Sequence, residues 1–576
     1  MSPLLSVRDL RVGFGRDPKA HEVVRGVSFE LDQGQTLAIV GESGSGKSVT
    51  ALSINRLVDF GGGRVTGGSV KLQRPDGDLL DITGAEEGVL RRIRGREIGM
   101  IFQEPMTSLN PVQTIGKQIE EAFRLNRGLE GRAATLAAEQ ALERVRIPDA
   151  KARLAYYPHQ LSGGMRQRVM IAMVIASNPR LLIADEPTTA LDVTVQAQIM
   201  ALLAELREET GMAMIFITHD IGLVAGIADQ IMVMQNGVAV EQGSLDGVLD
   251  RPQHDYTKHL LGAVPHFNRG SAVRSDAPRK GSEPRAVAVE DLVVRFPVKR
   301  GLFARARGAV HAVDGVEFHL APGETLAIVG ESGSGKSTTA RAMLDLVART
   351  RGNIETARGA GERPMQMVFQ DPFGSLNPRL NVRDLMAEPA IAAGQKLDGK
   401  VRERMSMLLD RVGLPEDALL RFPHQFSGGQ RQRLCIARAL MLNPNVLVLD
   451  EAVSALDVSV QAKVLDLLVE LQQEFGLAYL FISHDMAVVE RIAHRIAVMY
   501  AGQFVEIGAA ASVLSDPQHS YTKRLIAAVP TIERRRQHFT VDATQIPSLV
   551  RPPGYEPATP NWRDAGIDHR VRLEDA

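Results

Sequence analysis

The eight residues Gly41-Glu42-Ser43-Gly44-Ser45-Gly46-Lys47-Ser48 return letter for letter as Gly330 to Ser337, 289 positions later. A repeat of this kind makes the chain build the same local structure twice, each time on its own core. Other letters return in the same order. Gln103 recurs as Gln370, Asp185-Glu186 as Asp450-Glu451, and Thr218-His219-Asp220 as Ser483-His484-Asp485. Lys47 and Gln103 are 56 positions apart and Lys336 and Gln370 only 34, so the first copy holds 22 extra residues there. That stretch includes Gly61-Gly62-Gly63 and a turn signal at Pro75-Asp76-Gly77. Two homologous domains, 1–265 and 287–533, are therefore expected head to tail. Between them, 266–286 is rich in Gly, Ser, Pro and Arg and lacks apolar periodicity, which reads as a flexible, solvated linker.

Composition narrows the class. The 576 residues include 44% hydrophobic and 23% charged side chains, ordinary for globular domains, with a net charge of −1. That balance argues against binding nucleic acid through overall charge. A single cysteine, Cys435, excludes a disulfide framework, a Cys-based zinc site and an iron–sulfur cluster. In mid-helix, Cys435 reads as a small buried hydrophobe. The first residues show no basic start followed by an apolar block, so no signal peptide is expected. The longest apolar run, Val169 to Ala176, is far too short to span a bilayer. A soluble, cytoplasmic chain follows. From 534 to 576 a tail carries Pro547, Pro552, Pro553, Pro557 and Pro560 and the only Trp, Trp562. Its later half cannot be a regular helix and is expected to lie over a surface or remain partly disordered.

The repeated letters sit at strand ends. Leu37–Val40, Leu181–Ala184 and Met214–Ile217 are short apolar runs, as are Leu326–Val329, Val446–Leu449 and Tyr479–Ile482 in the second copy. Such runs mark parallel strands buried on both faces. Helical periodicity lies between them, with Met165, Val169, Ala172, Met173 and Ala176 on one face. The fold class is α/β, twice over. The G-x-x-x-x-G-K-S element after a strand and before a helix is a phosphate-binding loop. Gly41, Ser43, Gly44 and Gly46, with Gly330, Ser332, Gly333 and Gly335, let backbone N–H groups face a phosphate at a helix N-terminus. Lys47 and Lys336 would bridge β- and γ-phosphates, and Ser48 and Ser337 would ligate Mg²⁺.

Asp185 and Asp450 end apolar strands, where a carboxylate is costly unless it serves a charge. Holding magnesium through a water suits that place. The adjacent Glu186 and Glu451 can act as general bases toward an attacking water. Ser162-Gly163-Gly164 and Ser427-Gly428-Gly429 each set a second anion site at a helix start. One domain does not need two cradles. Two domains facing head to tail do, each offering its second cradle to the partner's nucleotide.

Taken together, the phosphate loop, single Gln, Ser-Gly-Gly, Asp-Glu, Ala-Leu-Asp and His in this order resemble the ATP-binding domains of ABC transporters, over about 5–265 and 287–530. The resemblance implies two P-loop ATPase domains, each with a mainly parallel sheet core and a helical subdomain. It makes Gln103 and Gln370 the residues that sense Mg²⁺, γ-phosphate and a membrane partner. It makes Ser162, Gly164, Ser427 and Gly429 contacts to the opposite nucleotide, His219 and His484 the histidines touching the γ-phosphate, and Asp192 and Asp457 the D-loop acids. Phe14 and Phe296, each just after a strand-like run, resemble the aromatic that stacks on adenine; a place in the core is the alternative.

Two further repeats resemble a narrower class. Ser-Leu-Asn-Pro follows each Gln at 108–111 and 375–378, and Pro-Gln-His-x-Tyr-Thr-Lys occurs at 252–258 and 517–523. Both are similar to the tandem ATPase subunits of oligopeptide, microcin C and glutathione importers. His254 and His519, one per element, read as packing or capping groups rather than metal ligands. Relatives often carry a Cys cluster near the C-terminus, and here no Cys follows Ile546 to Pro552. The resemblance implies ATP and Mg²⁺ as cofactors, and hydrolysis driving import of peptides or peptide-like solutes. It implies two integral membrane permease subunits, a periplasmic or extracellular solute-binding protein acting indirectly, and a peripheral place on the cytoplasmic face of the inner membrane. No nucleic acid and no direct bilayer insertion are expected. Met106, Leu109, Phe373 and Leu376 are the expected exposed apolar contacts to the membrane subunits. The rival reading, a soluble tandem ATPase working on ribosomes or DNA, would carry a long charged helical insert where this chain has a short linker.

Overall fold

The computed structural model describes residues 2–573 except 18, 20, 104–107, 190, 264–284, 299–307, 358–362, 455, 533–534, 536–547, 558–559 and 567. Met106 and most of the segment 266–286 therefore lie outside the described residues. Two compact units emerge. The first comprises Met1–Leu191, Val195–Val264 and Pro530–Val541, and the second Asp192–Thr194, Pro265–Val529 and Asp542–Ala576.

In the first unit the apolar runs become the centre of a six-stranded sheet. Its strands are β3 (Thr36–Val40), β6 (Ile98–Ile101), β7 (Leu181–Asp185), β8 (Ala213–Thr218), β9 (Gln230–Gln235) and β10 (Val238–Ser244), in the order β10-β9-β3-β8-β7-β6. Neighbours from β6 to β9 run parallel and only β10 is antiparallel. Every residue of β3, β7 and β8 is buried, as strands covered on both faces require. A second, antiparallel sheet joins β1 (Leu5–Phe14), β2 (Glu22–Leu31), β4 (Gly63–Gln73) and β5 (Leu79–Asp81), in the order β2-β1-β4-β5. The first copy's extra residues lengthen β4 to 11 residues and add β5. The Pro75-Asp76-Gly77 turn links them, with Gly77 N donating to Arg74 O at 2.9 Å.

A helical layer carries the rest of this unit. Helices Ile115–Arg127, Gly131–Arg144 and Gly163–Ile175 share one apolar cluster containing Ile115, Ile119, Phe123, Ala138, Leu142 and Val169. Ile115, Ile119 and Phe123 recur every four residues, the spacing of one helix face. Leu109 belongs to the same cluster at 2% exposure, and Leu376 to the matching cluster of the second unit at 1%. Both were expected on the surface, and both are core. The cause is the turn that follows: Asn110 takes Val112 N on its side chain, and its own N–H and carbonyl are held by Gln118. In the second unit Asn377 likewise takes Arg379 N, with Leu385 standing where the first unit has Gln118, so the asparagine turn is what the two inward leucines share. Phe373, in contrast, is 63% exposed, with the Arg431 guanidinium 3.8 Å over its ring.

The second unit repeats the plan. β11 (Val287–Pro297), β12 (Ala309–Leu320) and β14 (Arg351–Thr356) form the antiparallel sheet. β13 (Thr325–Val329), β15 (Met365–Val368), β16 (Val446–Asp450), β17 (Ala478–Ile482), β18 (Arg495–Tyr500) and β19 (Gln503–Ala509) form the larger one. It differs by what the C-terminal segment adds. β20 (Val550–Arg551) pairs with β12, while β21 (Trp562–Gly566) and β22 (His569–Arg572) extend the large sheet beyond β19. The segment set apart as a Pro-rich tail thus supplies strands. Its prolines at 552, 553, 557 and 560 fall between the strands, where no ladder N–H is lost. His569, 3% exposed, places Nε2 2.7 Å from Oε1 of the fully buried Glu506. Cys435 is buried and its thiol is pushed up to about 12 by that burial.

Candidate functional site

Each phosphate loop leaves the carboxyl end of a buried strand, β3 or β13, and enters a helix, Lys47–Ile54 or Lys336–Met343. The helix N-caps are Gly46 at φ +98° and Gly335 at φ +110°, and neither cap carries a side-chain hydrogen bond. A Cβ on Gly335 would lie 2.2 Å from Ala312 O, so glycine is required there. The open caps leave the first-turn amides to an anion. Ser43, Gly44, Ser332 and Gly333 lie exposed at the rim, and Gly41 and Gly330 are buried at the base. Lys47, 5% exposed, donates from Nζ to Gly41 O at 2.7 Å and Glu42 O at 2.8 Å; Lys336 meets Gly330 O and Glu331 O, both at 2.8 Å. Burial pulls the Lys336 ammonium below its ordinary pKa. Within each loop the Ser45 and Ser334 hydroxyls are buried with no hydrogen-bond partner among the described residues.

Beside the loop stand the strand-end acids. Ser48 Oγ donates to Asp185 Oδ1 at 2.9 Å, and Ser337 Oγ to Asp450 Oδ1 at 2.8 Å. Burial, offset in part by the serine, raises Asp185 to about 6 and Asp450 in the same direction. The glutamate one residue on behaves oppositely. Burial disfavours its charge, but His219 and Thr189 outweigh burial at Glu186, and His484 does so at Glu451, so both sit below the usual range. His219 Nδ1 is 3.4 Å from Glu186 Oε1, and His484 Nδ1 3.3 Å from Glu451 Oε1. Burial works against each imidazolium, yet the glutamate raises both histidines overall. Gln103 Nε2 and Gln370 Nε2 reach the other oxygen, Oε2, of the same glutamates. Glu186 and Glu451 have φ of 45° and 48°, a left-handed turn that aims the carboxylate off the strand.

The Ser-Gly-Gly segments open helices Gly163–Ile175 and Gly428–Ala439. Ser162 Oγ accepts from Met165 N and Ser427 Oγ from Gln430 N, both at 3.3 Å. Gly164 and Gly429 press against the following helix, where an added Cβ would lie 2.6 Å from Val195 Cγ1 and 2.3 Å from Val460 Cγ1. Gly163 and Gly428 have room there. Asp192 accepts from Thr194 Oγ1 at 2.8 Å, and Asp457 is the N-cap of helix Val458–Phe475.

The two aromatic candidates differ. Phe296 is 41% exposed at the end of β11. Phe14 packs against the core, over Gly63 of β4, where an added Cβ would stand 2.9 Å from its ring. Two residues outside the candidate set also reach a phosphate loop: Tyr256 Oη accepts from Glu42 N at 3.1 Å, and Tyr521 Oη from Glu331 N at 2.8 Å. The repeated Tyr in the Pro-Gln-His-x-Tyr element was the available signal. The histidines of that element cap helices, His519 Nδ1 accepting from Tyr521 N at 3.1 Å and His254 Nδ1 from Tyr256 N at 3.2 Å.

Comparison with known proteins shows which families the two halves match. The ABC transporter family matches residues 24–189 and 313–454, and the oligopeptide/dipeptide transporter C-terminal region matches 240–291 and 505–554. The glutathione import ATP-binding protein GsiA of Pectobacterium atrosepticum is 49% identical over 601 residues, covering 99% of this chain and 96% of that relative. Its namesake from Escherichia coli is 48% identical over 600 residues with the same coverage.

Proposed function

The chain belongs to the ABC transporter family, and from that premise we infer that it is the ATP-hydrolysing subunit of an importer for glutathione or related small peptides. The observation that carries the catalytic reading is the twofold set of phosphate loop, serine–aspartate pair and clamped glutamate. Glu186 and Glu451, held ionised by their neighbours, are the bases that take a proton from the attacking water. Gln103 and His219, like Gln370 and His484, fix both carboxylate oxygens and so aim the base. Lys47 and Lys336 meet the β- and γ-phosphates, the loop amides cradle them, and Phe14 and Phe296 are the adenine contacts.

Hard oxygens placed side by side, the Ser48 hydroxyl and the Asp185 carboxylate, suit Mg²⁺. Ser48, Gln103 and Asp185 would hold one ion and Ser337, Gln370 and Asp450 the other. Bound there, Mg²⁺ offsets charge on the phosphate oxygens. Ser162, Gly163 and Gly164, with Ser427, Gly428 and Gly429, offer a second set of helix-start amides to a nucleotide phosphate.

Among the described residues no helix is long and apolar enough to cross a membrane. Membrane attachment would therefore come through two permease subunits, served by a solute-binding protein, at the cytoplasmic face of the inner membrane. The relatives' role in glutathione import supports that cargo class. The test is uptake of labelled glutathione and dipeptides by cells making this chain with the membrane proteins encoded beside it. Glu186→Gln with Glu451→Gln should abolish uptake while the complex still co-purifies. Uptake that persists in that variant, or a wild-type chain that purifies with ribosomes and no membrane protein, would overturn the reading.

A further inference from the structure

In each unit the same polar linkage ties the C-terminal helix to the antiparallel strand of the large sheet, β10 or β19, and nothing in the hydrolytic reading uses it. In the first unit, Gln253 N and His254 N donate to Glu241 on β10 at 2.8 and 3.0 Å. In the second, Gln518 N and His519 N donate to Glu506 on β19 at 2.8 and 2.9 Å. The histidine then caps the helix that carries the tyrosine, Asp255–Ala263 or Ser520–Ala527. Both tyrosines are buried, Tyr256 at 8% exposure and Tyr521 at 1%, and the Tyr521 ring packs on Tyr500 with centroids 4.4 Å apart. A side chain with two torsions, fixed at its base and along its ring, delivers its hydroxyl to one place.

That place is one peptide group of the phosphate loop. The N–H of Glu42 donates to Tyr256 Oη, while the C=O of the same peptide group, that of Gly41, accepts from Lys47 Nζ. The Gly330–Glu331 peptide group is held in the same way between Tyr521 Oη and Lys336 Nζ. The catalytic lysine thus takes its position from carbonyls whose backbone the tyrosine secures. The arrangement occurs twice, on sequences that differ at the residue before the tyrosine, Asp255 against Ser520.

We propose that Tyr256 and Tyr521 are positioning residues for Lys47 and Lys336, which makes the C-terminal element of each unit part of its nucleotide site. The inference rests on the reading of these loops as ATP sites. Tyr256→Phe with Tyr521→Phe keeps the ring and its packing and removes only the acceptor. In the purified full chain, ATP binding is followed by calorimetry and hydrolysis as a function of ATP concentration. The Kd and KM for ATP should rise about two- to tenfold, the effect of one lost net hydrogen bond. The kcat should stay within about twofold, because Glu186 and Glu451 keep their neighbours; a loss in the general base would instead appear in kcat. An unchanged Kd and KM, or a fall in kcat alone, would overturn the proposal and leave the tyrosines as packing. Should the double variant not fold, each single Tyr→Phe variant is read by the same split. A wild-type chain that binds no ATP would overturn the function beneath the proposal, a result distinct from either.

Discussion

Gln103 Nε2 donates to Glu186 Oε2 across 2.9 Å, joining residues 83 positions apart in the chain, and Gln370 meets Glu451 in the same way at 2.6 Å. The glutamine comes from the loop after β6 and the glutamate from the turn after β7, neighbouring parallel strands of one sheet. The contact is therefore set by sheet order. With His219 on the opposite oxygen, the carboxylate is held from both sides.

If that carboxylate is the base, Glu186→Gln with Glu451→Gln removes it and leaves the cradle intact. Turnover should fall by about 10²–10⁴-fold, while ATP affinity stays near that of the wild type. Phosphate release and equilibrium binding measured on the same preparation check both halves of the statement.

The neighbouring aspartate predicts a pH effect. Asp185 is raised to about 6 by burial, with repulsion from Glu186 adding to it, whereas in the unfolded chain it titrates at its ordinary 3.8. Between those values the folded form binds the proton more tightly, so this group's contribution to stability declines as pH rises through the window. Asp185→Asn should flatten that part of the profile and raise the melting temperature of the nucleotide-free chain at pH 7. A variant that melts lower than wild type at pH 7 contradicts the burial argument.

Leu109→Ala and Leu376→Ala empty core positions, and each should cost about 2–5 kcal/mol. Phe373→Asp lies on the surface and should leave melting nearly unchanged. It is also the substitution that would weaken a contact with a membrane subunit. Calorimetry separates the two classes, and fractionation of cells that also make the membrane proteins tests the surface role.

His569→Ala withdraws the imidazole from a fully buried carboxylate. Glu506 keeps its two backbone donors, so the loss should be about 1–3 kcal/mol, the cost of leaving a buried charged group under-satisfied. The effect should appear in the second unit's unfolding and be absent from the first, whose Glu241 is half-buried. Equal shifts in both units, followed by hydrogen exchange of β9 and β18, would refute the assignment.

Much of this architecture was legible because its signals are local. Leu37–Val40 and Leu181–Ala184 are apolar runs that end on charged or glycine-rich motifs, and a repeat of those motifs fixed their equivalence without any tertiary information. The burial of Leu109 and Leu376 was hidden because it depends on packing against helices well along the chain, among them Gly163–Ile175 and Gly428–Ala439. Phe14 keeps only part of its ring exposed because pairing with β4 brings Gly63 against it, a neighbour the strand-like run alone does not reveal. The strands β20 to β22 escaped notice for a related reason. Proline spacing excludes helix, but only a partner far away in the chain, such as Glu506 for Val571, makes a strand of four residues worth forming.

The left-handed backbone at Glu186 and Glu451 carries a consequence of its own. A residue with a Cβ is uncomfortable there by roughly 1–3 kcal/mol, and glycine would relieve it. Both copies nevertheless keep a carboxylate at this position. Selection for thermal robustness alone would push these two positions toward glycine, so their identity marks a compromise in which each unit gives up some robustness to aim an acid.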